Sequence, residues 1–302
     1  VSNSKPPLAV ITVTYSPGQY LNRFLDSIPG ASARDALVVM ADNGSVDGAP
    51  ENAARERPNV EFLPTGGNLG YGTAVNVAAR ALRGRREAGG IDNEFFIVSN
   101  PDVVFGEGSI DELIACARRH PRAASVGPMI LEPDGSVYPS ARAVPTLGNG
   151  IGHALLGALW KNNPWSAAYL DDQDMTVERS AGWLSGSCLL LRWEAFDAIG
   201  GFDERYFMYM EDVDLGDRLA RAGGENIYCP GARITHARGH VAGKHPEILL
   251  PAHHESAYRF QADRLSAPWQ LPIRVALRIG LKLRAVLTVA ASTVRRGGSA
   301  AV

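Results

Sequence analysis

Three carboxylates stand almost side by side in Glu211-Asp212-Val213-Asp214, directly after the run Tyr206-Phe207-Met208-Tyr209-Met210. Carboxylates pressed against an apolar wall lose water, and a desolvated carboxylate is a poised general base. Leu215, Leu219 and Ala222 then recur at helical spacing and Gly223-Gly224 supplies a stop. The spacing predicts a loop followed by a helix whose first turn holds all three acids. Acids are favoured at any helix start, because its free N–H groups carry partial positive charge. A capped surface helix is therefore the plain alternative, and the preceding apolar run is what argues for a base.

Further polar groups fall where strands should end. Asp42-Asn43-Gly44-Ser45-Val46-Asp47-Gly48 follows one apolar run, Gly66-Gly67-Asn68-Leu69-Gly70-Tyr71-Gly72 another, and Asn100-Pro101-Asp102 a third. Each alone reads as a turn, and the Gly-rich loop has neither the GxGxxG spacing nor the Gly-Lys-Ser/Thr ending of a phosphate loop. Together they are more informative. Ligands of parallel α/β sheets bind beyond the carboxyl ends of the strands, so Asp42, Asn68 and Asp102 should converge on one edge. Two aspartates there could clamp a nucleobase and a metal-bound diphosphate, and oxygen ligands suit Mg²⁺ or Mn²⁺. His236 follows the acid cluster by about two dozen residues; a lone histidine is usually structural or solvated, but it is also a common metal ligand. His240, His245, His253 and His254 lie in a stretch that reads as loop, near Gly239, Gly243 and Pro246, and their spacing gives no zinc motif.

The elements that must position these groups alternate. Leu8 to Tyr15, Ala36 to Ala41, Val60 to Leu63 and Glu94 to Ser99 read as buried strands. Helices are expected from Tyr20 to Ile28 and from about Ala74 to Leu82, on the periodicity of their apolar residues. This alternation argues for a doubly wound, mainly parallel α/β sheet. Pro128 to Tyr138 reads as a hairpin turning at Pro133-Asp134-Gly135. Ala143 to Tyr169 is Gly-, Trp- and Asn-rich and reads equally as an acceptor loop or an irregular insertion. Trp183 to Arg192 is expected as one strand, leading to a helix at Glu194–Ile199.

The 302-residue chain can bury a large core, either as one α/β domain or as a domain with an appendage. A formal net charge of -2 gives no global signal for nucleic acid. Cys116, Cys188 and Cys229 are too far apart for a CxxC motif or a disulfide framework, which fits a reducing cytosol. Val1 to Pro7 lacks the apolar core of a signal peptide. No uncharged apolar run reaches the length of roughly 18 residues that a spanning helix needs. Asp263 is the last acid, and Arg274, Arg278 and Lys282 then recur every fourth residue within a helical pattern from Ile273 to Val294. Such a basic amphipathic helix reads as a membrane-surface element; packing on its own domain, or in a homo-oligomer, is the alternative.

Val13-Thr14-Tyr15, Asp42 to Gly48, Gly67 to Gly72, Asn100-Pro101-Asp102, Trp183 to Arg192 and Phe207 to Leu215 together resemble the inverting family 2 glycosyltransferases of the GT-A fold, over roughly residues 8–240. The likeness is greatest to the bacterial rhamnosyltransferase subgroup. It implies a GT-A domain over 1–262, with a nucleotide-binding half at about 8–130 and an acceptor half at about 131–262, followed by a basic extension at 263–302. It implies Asp212 as the base, with Glu211 and Asp214 orienting it or meeting the acceptor beside Trp183 and the Ser185-Gly186-Ser187 turn. Thr14, Tyr15, Asp42, Asn43, Asn68, Gly70, Tyr71 and Asn100 would bind the nucleotide sugar, with Asp42 at the base. Asp102 and His236 would hold Mg²⁺ or Mn²⁺, although Asn100 stands where the first acid of a DxD motif often stands. The implied donor is dTDP-β-L-rhamnose and the implied acceptor N-acetylglucosaminyl-diphospho-polyprenol, the start of the linker between peptidoglycan and arabinogalactan. The work would be done in the cytoplasm, at the inner face of the plasma membrane. Another sugar on a lipid or polysaccharide, or an inactive sugar-nucleotide-binding paralogue, remains open at this stage. A nucleotidyltransferase is disfavoured, since Ser16-Pro17-Gly18 is not its basic Gly-rich signature.

Overall fold

The computed structural model describes residues 5–146, 148, 174–237 and 246–283. β1 (Leu8–Thr14), β2 (Ala36–Asp42), β3 (Val60–Pro64) and β4 (Phe95–Ser99) form the parallel half of one sheet, in the order β3-β2-β1-β4. These strands are continuous apolar runs because both their faces are covered. β11 (Cys188–Arg192) lies antiparallel against β4, with Cys188 opposite Ser99, and joins it to β6 (Ala123–Leu131), β12 (Glu225–His236) and β5 (Val103–Phe105). The two halves therefore share one sheet; the first is wholly parallel and the second mixed. β7 (Val137–Tyr138) returns antiparallel on β6 and closes the expected hairpin, and β9 (Arg179–Ala181) pairs with β12.

Helices cover both faces. α1 (Gln19–Ala31) buries Leu21, Phe24, Leu25 and Ile28, the i, i+3, i+4, i+7 stripe of an amphipathic helix. It packs on one face with α2 (Ala49–Glu56) and α4 (Ser109–Arg119), against Val10, Val38, Met40 and Ile97. On the other face α3 (Tyr71–Glu87), α5 (Trp193–Ala198) and α6 (Glu211–Arg221) cover Ala9, Ile11, Val39 and Val98. β5 and α4 fill a stretch that the sequence pattern leaves unassigned. α3 begins three residues earlier than its apolar periodicity predicts, so Tyr71 belongs to its first turn.

Two expectations are corrected. Trp183 to Arg192 is not one strand. β10 (Trp183–Leu184) pairs with β8 (Ala141–Arg142) in a separate small sheet, and β11 starts only at Cys188. Ser185-Gly186-Ser187 turns the chain between them, because the Ser185 N–H is drawn to the Ser140 carbonyl while the Ser187 carbonyl accepts from Asn100 N–H. His253 and His254 are also not in a loop; they lie on α7 (Pro246–Arg264). A last helix, α8, occupies residues 271–283. His240, His245, most of the 143–169 segment, and the tail beyond 283 with Arg295 and Arg296 lie outside the described residues.

Candidate active site

The loops after β2, β3 and β4 do converge. The β2 loop is built around Asp42, only 3% exposed. Its Oδ1 accepts from the Thr14 and Ser45 hydroxyls, and its Oδ2 from Gly44 N–H at 3.0 Å and Ser45 N–H at 2.9 Å. Four donors fill the lone-pair sites of a carboxylate. Asp42 thus shapes the turn, and meets a nucleobase only by exchanging one of these donors. Asn43 reaches the neighbouring loop, its amide donating to the Gly70 carbonyl at 3.1 Å and lying 3.4 Å from Asn68 Oδ1. Asn68 Oδ1 in turn accepts from Gly70 N–H. Tyr15 stands apart from this network and is 53% exposed.

Gly70 is where the Gly-rich loop meets the acidic segment. Its φ is +84°, and a Cβ there would lie 2.2 Å from the Phe207 carbonyl oxygen, so the contact is open to glycine alone. The Tyr71 N–H donates to that same carbonyl. The Tyr71 hydroxyl donates to Gly186 O at 2.7 Å, and Gly186 N–H donates to Asp212 Oδ2 at 3.0 Å. One short chain of contacts therefore joins the loops after β2 and β3, the 185–187 turn and the acid cluster. Burial raises the Tyr71 hydroxyl well above its usual pKa, with the charges of Glu211, Asp212 and Asp102 adding to the effect. Its proton is retained and Tyr71 serves as a fixed donor.

The acids divide their roles. α6 starts from Met210, which has a left-handed φ of 66°, as does Tyr209 before it at 65°. Such residues cost roughly 1–3 kcal/mol each and persist where the surroundings over-determine them. Asp212 accepts from Gly186 N–H and from Val213 N–H at 2.9 Å. Burial raises its pKa, and these N–H groups oppose the rise; the charge of Arg142 on β8 acts in the same lowering sense. Glu211 has less help: its own backbone N–H acts in the lowering sense, and its Oε2 is buried without a hydrogen-bond partner among the described residues. Burial, and then the charge of Asp212, push Glu211 up to about 8. The N–H groups thus favour the negative charge on Asp212 and burial favours the proton on Glu211, a separation of acid and base by environment.

Asp214 does not join them. Its Oδ2 pairs with Arg218 Nε at 2.6 Å, and Arg218 also donates to the carbonyls of Ile199 and Gly201. It braces the turn that leads into the acidic segment, a structural role that Glu-Asp-Val-Asp cannot reveal by itself. Trp183 packs against Gly216 of α6 and donates its indole N–H to Ala143 O at 3.0 Å. Arg142, its cross-strand neighbour, lies in the irregular middle of the chain, where no sequence signal marks it.

Asp102 and His236 come together from different strands, with Asp102 Oδ1 3.0 Å from His236 Nε2 and Asn100 Nδ2 3.4 Å from the same nitrogen. β5 pairs with β12 so that Val103 faces His236, and Ala237 N–H donates to Asp102 O. A carboxylate oxygen and an imidazole nitrogen side by side form one edge of a coordination shell suited to Mg²⁺ or Mn²⁺, with the other positions left for oxygens of a substrate or water. The residues present fit a divalent cation.

Asp102, beside His236, and the Glu211–Asp212 pair all lie near enough to Tyr71, at the carboxyl ends of the sheet, for their charges to bear on its hydroxyl. The chain matches the family described as "Glycosyltransferase like family 2" over residues 6–247, and it belongs to that family. It is 53% identical to N-acetylglucosaminyl-diphospho-decaprenol L-rhamnosyltransferase of Mycobacterium tuberculosis, over 94% of each chain. It is 24% identical to the rhamnosyltransferase WbbL of Escherichia coli, over 84% of this chain and 92% of that one. Among solved structures, the mannosyltransferase PcManGT of Pyrobaculum calidifontis with GDP-Man and Mn²⁺ aligns with a TM-score of 0.54 at 17% identity, covering 97% of this chain and 81% of that one. GalNAc-T7 with UDP, GalNAc and Mn²⁺ aligns with a TM-score of 0.55 at 17% identity, covering 78% and 44%. These structural likenesses bear on the fold alone. The protein is a glycosyltransferase.

Proposed function

We propose that the enzyme moves L-rhamnose from dTDP-β-L-rhamnose to N-acetylglucosaminyl-diphospho-polyprenol, with inversion at the anomeric carbon. The observation that carries this reading is the 53% identity to the mycobacterial rhamnosyltransferase over 94% of each chain. The site supplies the chemistry. Asp212, ionised and held by Gly186 and Val213 N–H, takes the proton of an acceptor hydroxyl. The acceptor oxygen attacks the anomeric carbon from the face opposite the nucleotide. The bond to the departing diphosphate oxygen breaks in the same step, and the diphosphate keeps the electron pair. A diphosphate is already a good leaving group, so one base suffices where a glycosidase needs a second carboxyl as acid. Asp102 and His236 would hold Mg²⁺ or Mn²⁺, which when bound offsets charge growing on the diphosphate. Thr14, Asn43, Asn68, Gly70, Tyr71 and Asn100 shape the donor cleft, and the open ring of Tyr15 can stack on the nucleobase beside the turn that Asp42 holds.

In this reading residues 1–262 are the transferase domain and 263–302 its basic extension. The enzyme works in the cytoplasm, peripheral on the inner face of the plasma membrane, in cell-wall biogenesis of the arabinogalactan linker. The decisive assay gives the protein dTDP-rhamnose, UDP-galactofuranose, UDP-glucose and GDP-mannose in turn, with Mg²⁺ or Mn²⁺ and a short-chain N-acetylglucosaminyl-diphospho-lipid. The expected result is a product heavier by one deoxyhexose, from dTDP-rhamnose alone. A hexose product would keep the base and overturn the donor.

A further inference from the structure

The C-terminal region exposes more apolar surface than a helix packed on its own domain should. Trp269, in a short 3₁₀ turn (Pro268–Gln270), is 73% exposed. On α8, Leu271, Val275, Ile279 and Leu283 recur every fourth residue, and all are exposed, Ile279 at 55%. Arg274, Leu277 and Leu281 are the partly covered positions, so they mark the side that faces the body. The outward side is aliphatic, with the exposed Arg278 and Lys282 along one margin. The sequence pattern reads as a basic amphipathic helix at a membrane surface; the structure turns an aliphatic face outward with the basic groups as its rim. That is the cross-section of a helix lying in a bilayer interface, with aliphatic groups among the acyl chains and cations at the headgroups.

This face is tied to the acid cluster. Arg278 lies over the Tyr258 ring of α7 at 5.2 Å. α7 in turn grips the catalytic loop: Ser256 Oγ donates to Met208 O at 2.8 Å, and the His253 ring meets the Tyr209 ring edge-on at 5.4 Å. Phe260 is fully buried with Tyr206 and Val213. A surface that holds α8 therefore also fixes α7 and the two residues whose left-handed backbone launches α6.

We propose that Trp269 and the outward face of α8 dock the enzyme on an anionic lipid bilayer, setting the acid cluster at a fixed height above the headgroups. A bilayer is chosen over a second copy of the chain on two grounds. One is the lipid-linked acceptor proposed above, on which this inference rests. The other is charge: no acid follows Asp263, so the rim is cationic, whereas a self-association would bring like charges together. Among the described residues no helix is long and apolar enough to cross a membrane, in keeping with a helix that lies on one.

The test uses the full chain and co-sedimentation with vesicles of phosphatidylcholine alone, or mixed with phosphatidylglycerol. The Val275→Ser/Ile279→Ser protein should partition about tenfold or more weakly onto both vesicle types, a loss that low salt does not restore. Arg278→Gln/Lys282→Gln should lose only the preference for phosphatidylglycerol. Both variants should transfer sugar normally to a short-chain soluble acceptor; with a long-chain acceptor embedded in vesicles, the Val275/Ile279 variant should transfer poorly throughout and the Arg278/Lys282 variant should lose only the gain that phosphatidylglycerol gives wild type. Wild-type protein that ignores vesicles, or a Val275/Ile279 variant that binds them like wild type, overturns the docking face. So does a solution dimer that Ile279→Ser dissociates, since the face would then belong to a second copy. The short-chain assay reads the proposed transfer independently, so failure of docking and failure of that function are distinguishable.

Discussion

At the scale of single residues, the site turns on where one proton sits. Glu211 and Asp212 are adjacent in sequence, but only Asp212 receives N–H groups from other residues, Gly186 and Val213. Asp212→Asn keeps the shape and removes the proposed base, so transfer should fall by about 10²–10⁴ while calorimetric binding of the nucleotide sugar stays near wild type. Turnover within a few fold of wild type would remove Asp212 from the mechanism. Glu211 gives a pH prediction with a definite sign. Its folded-state value of about 8 lies above the ordinary glutamate value of 4.5, so the native state binds the extra proton between the two. Stability is therefore greatest below the lower value and declines as pH rises through the upper one, and the raised Asp212 acts in the same sense. Glu211→Gln cannot ionise, so its melting temperature should drop less than that of wild type between about pH 5 and about pH 9. Parallel melting curves for the two proteins would contradict the assignment of the proton to Glu211. The sequence marks the cluster of acids but not the division of labour within it. Asp214 has the same side chain as Asp212, and only the tertiary partner Arg218 makes it a brace.

At the scale of elements, the acidic segment is held by clamps that lie far away in sequence. Asn76, on α3, donates from Nδ2 to Phe202 O at 2.8 Å and accepts at Oδ1 from Phe202 N–H at 3.0 Å, in a buried place. The fit is close: Gly201 has φ +77°, and a Cβ on it would lie 2.4 Å from Asn76 Oδ1. Asn76→Ala strands both backbone groups of Phe202 without partners, at a cost of about 1–3 kcal/mol for each group left unsatisfied. Denaturant titration should register that loss, and transfer should fall with it because the following loop carries the acids; unchanged stability would mean that water or a local shift replaces the clamp. The strands of the parallel half are legible from sequence because burial on both faces writes them as unbroken apolar runs. β10 and β11 are not separable in that way. Trp183 to Arg192 has strand composition throughout, and what divides it is the tertiary pull of Ser140 and Asn100 on the 185–187 turn. His253 and His254 are misread for a related reason. The glycines and proline just before them mark a loop, and the helix that begins at Pro246 is anchored by its contacts with the 206–213 region more than by its own periodicity.

At the scale of the whole molecule, one sheet carries both the fold and the proposed cation edge. Asp102 and His236 are far apart in the chain, and the sequence suggests their meeting only through the family resemblance. The structure brings them together by laying β5 on β12, in a register fixed by backbone hydrogen bonds that need no ion. The carboxylate and imidazole are thus already adjacent, and in the proposed mechanism holding a cation there would be a matter of substrate binding rather than of folding. A chelator should therefore suppress transfer while leaving the melting temperature of the donor-free enzyme within about a degree of its untreated value, given that shifts of several degrees per kcal/mol are usual for folding changes. Donor nucleotide with Mn²⁺ should raise the melting temperature, by the equivalent of about 2.7 kcal/mol at a hundredfold excess over its dissociation constant, and EDTA should abolish most of that gain. His236→Ala should behave like chelation, with a weaker response to Mn²⁺ and an unchanged fold. A marked fall in the melting temperature of the donor-free enzyme on chelation would instead make the ion part of the structure, and transfer that persists undiminished in EDTA would take Asp102 and His236 out of the chemistry. The contrast between these outcomes follows from the sheet: a site pre-built by strand pairing loses its ligand without losing its shape.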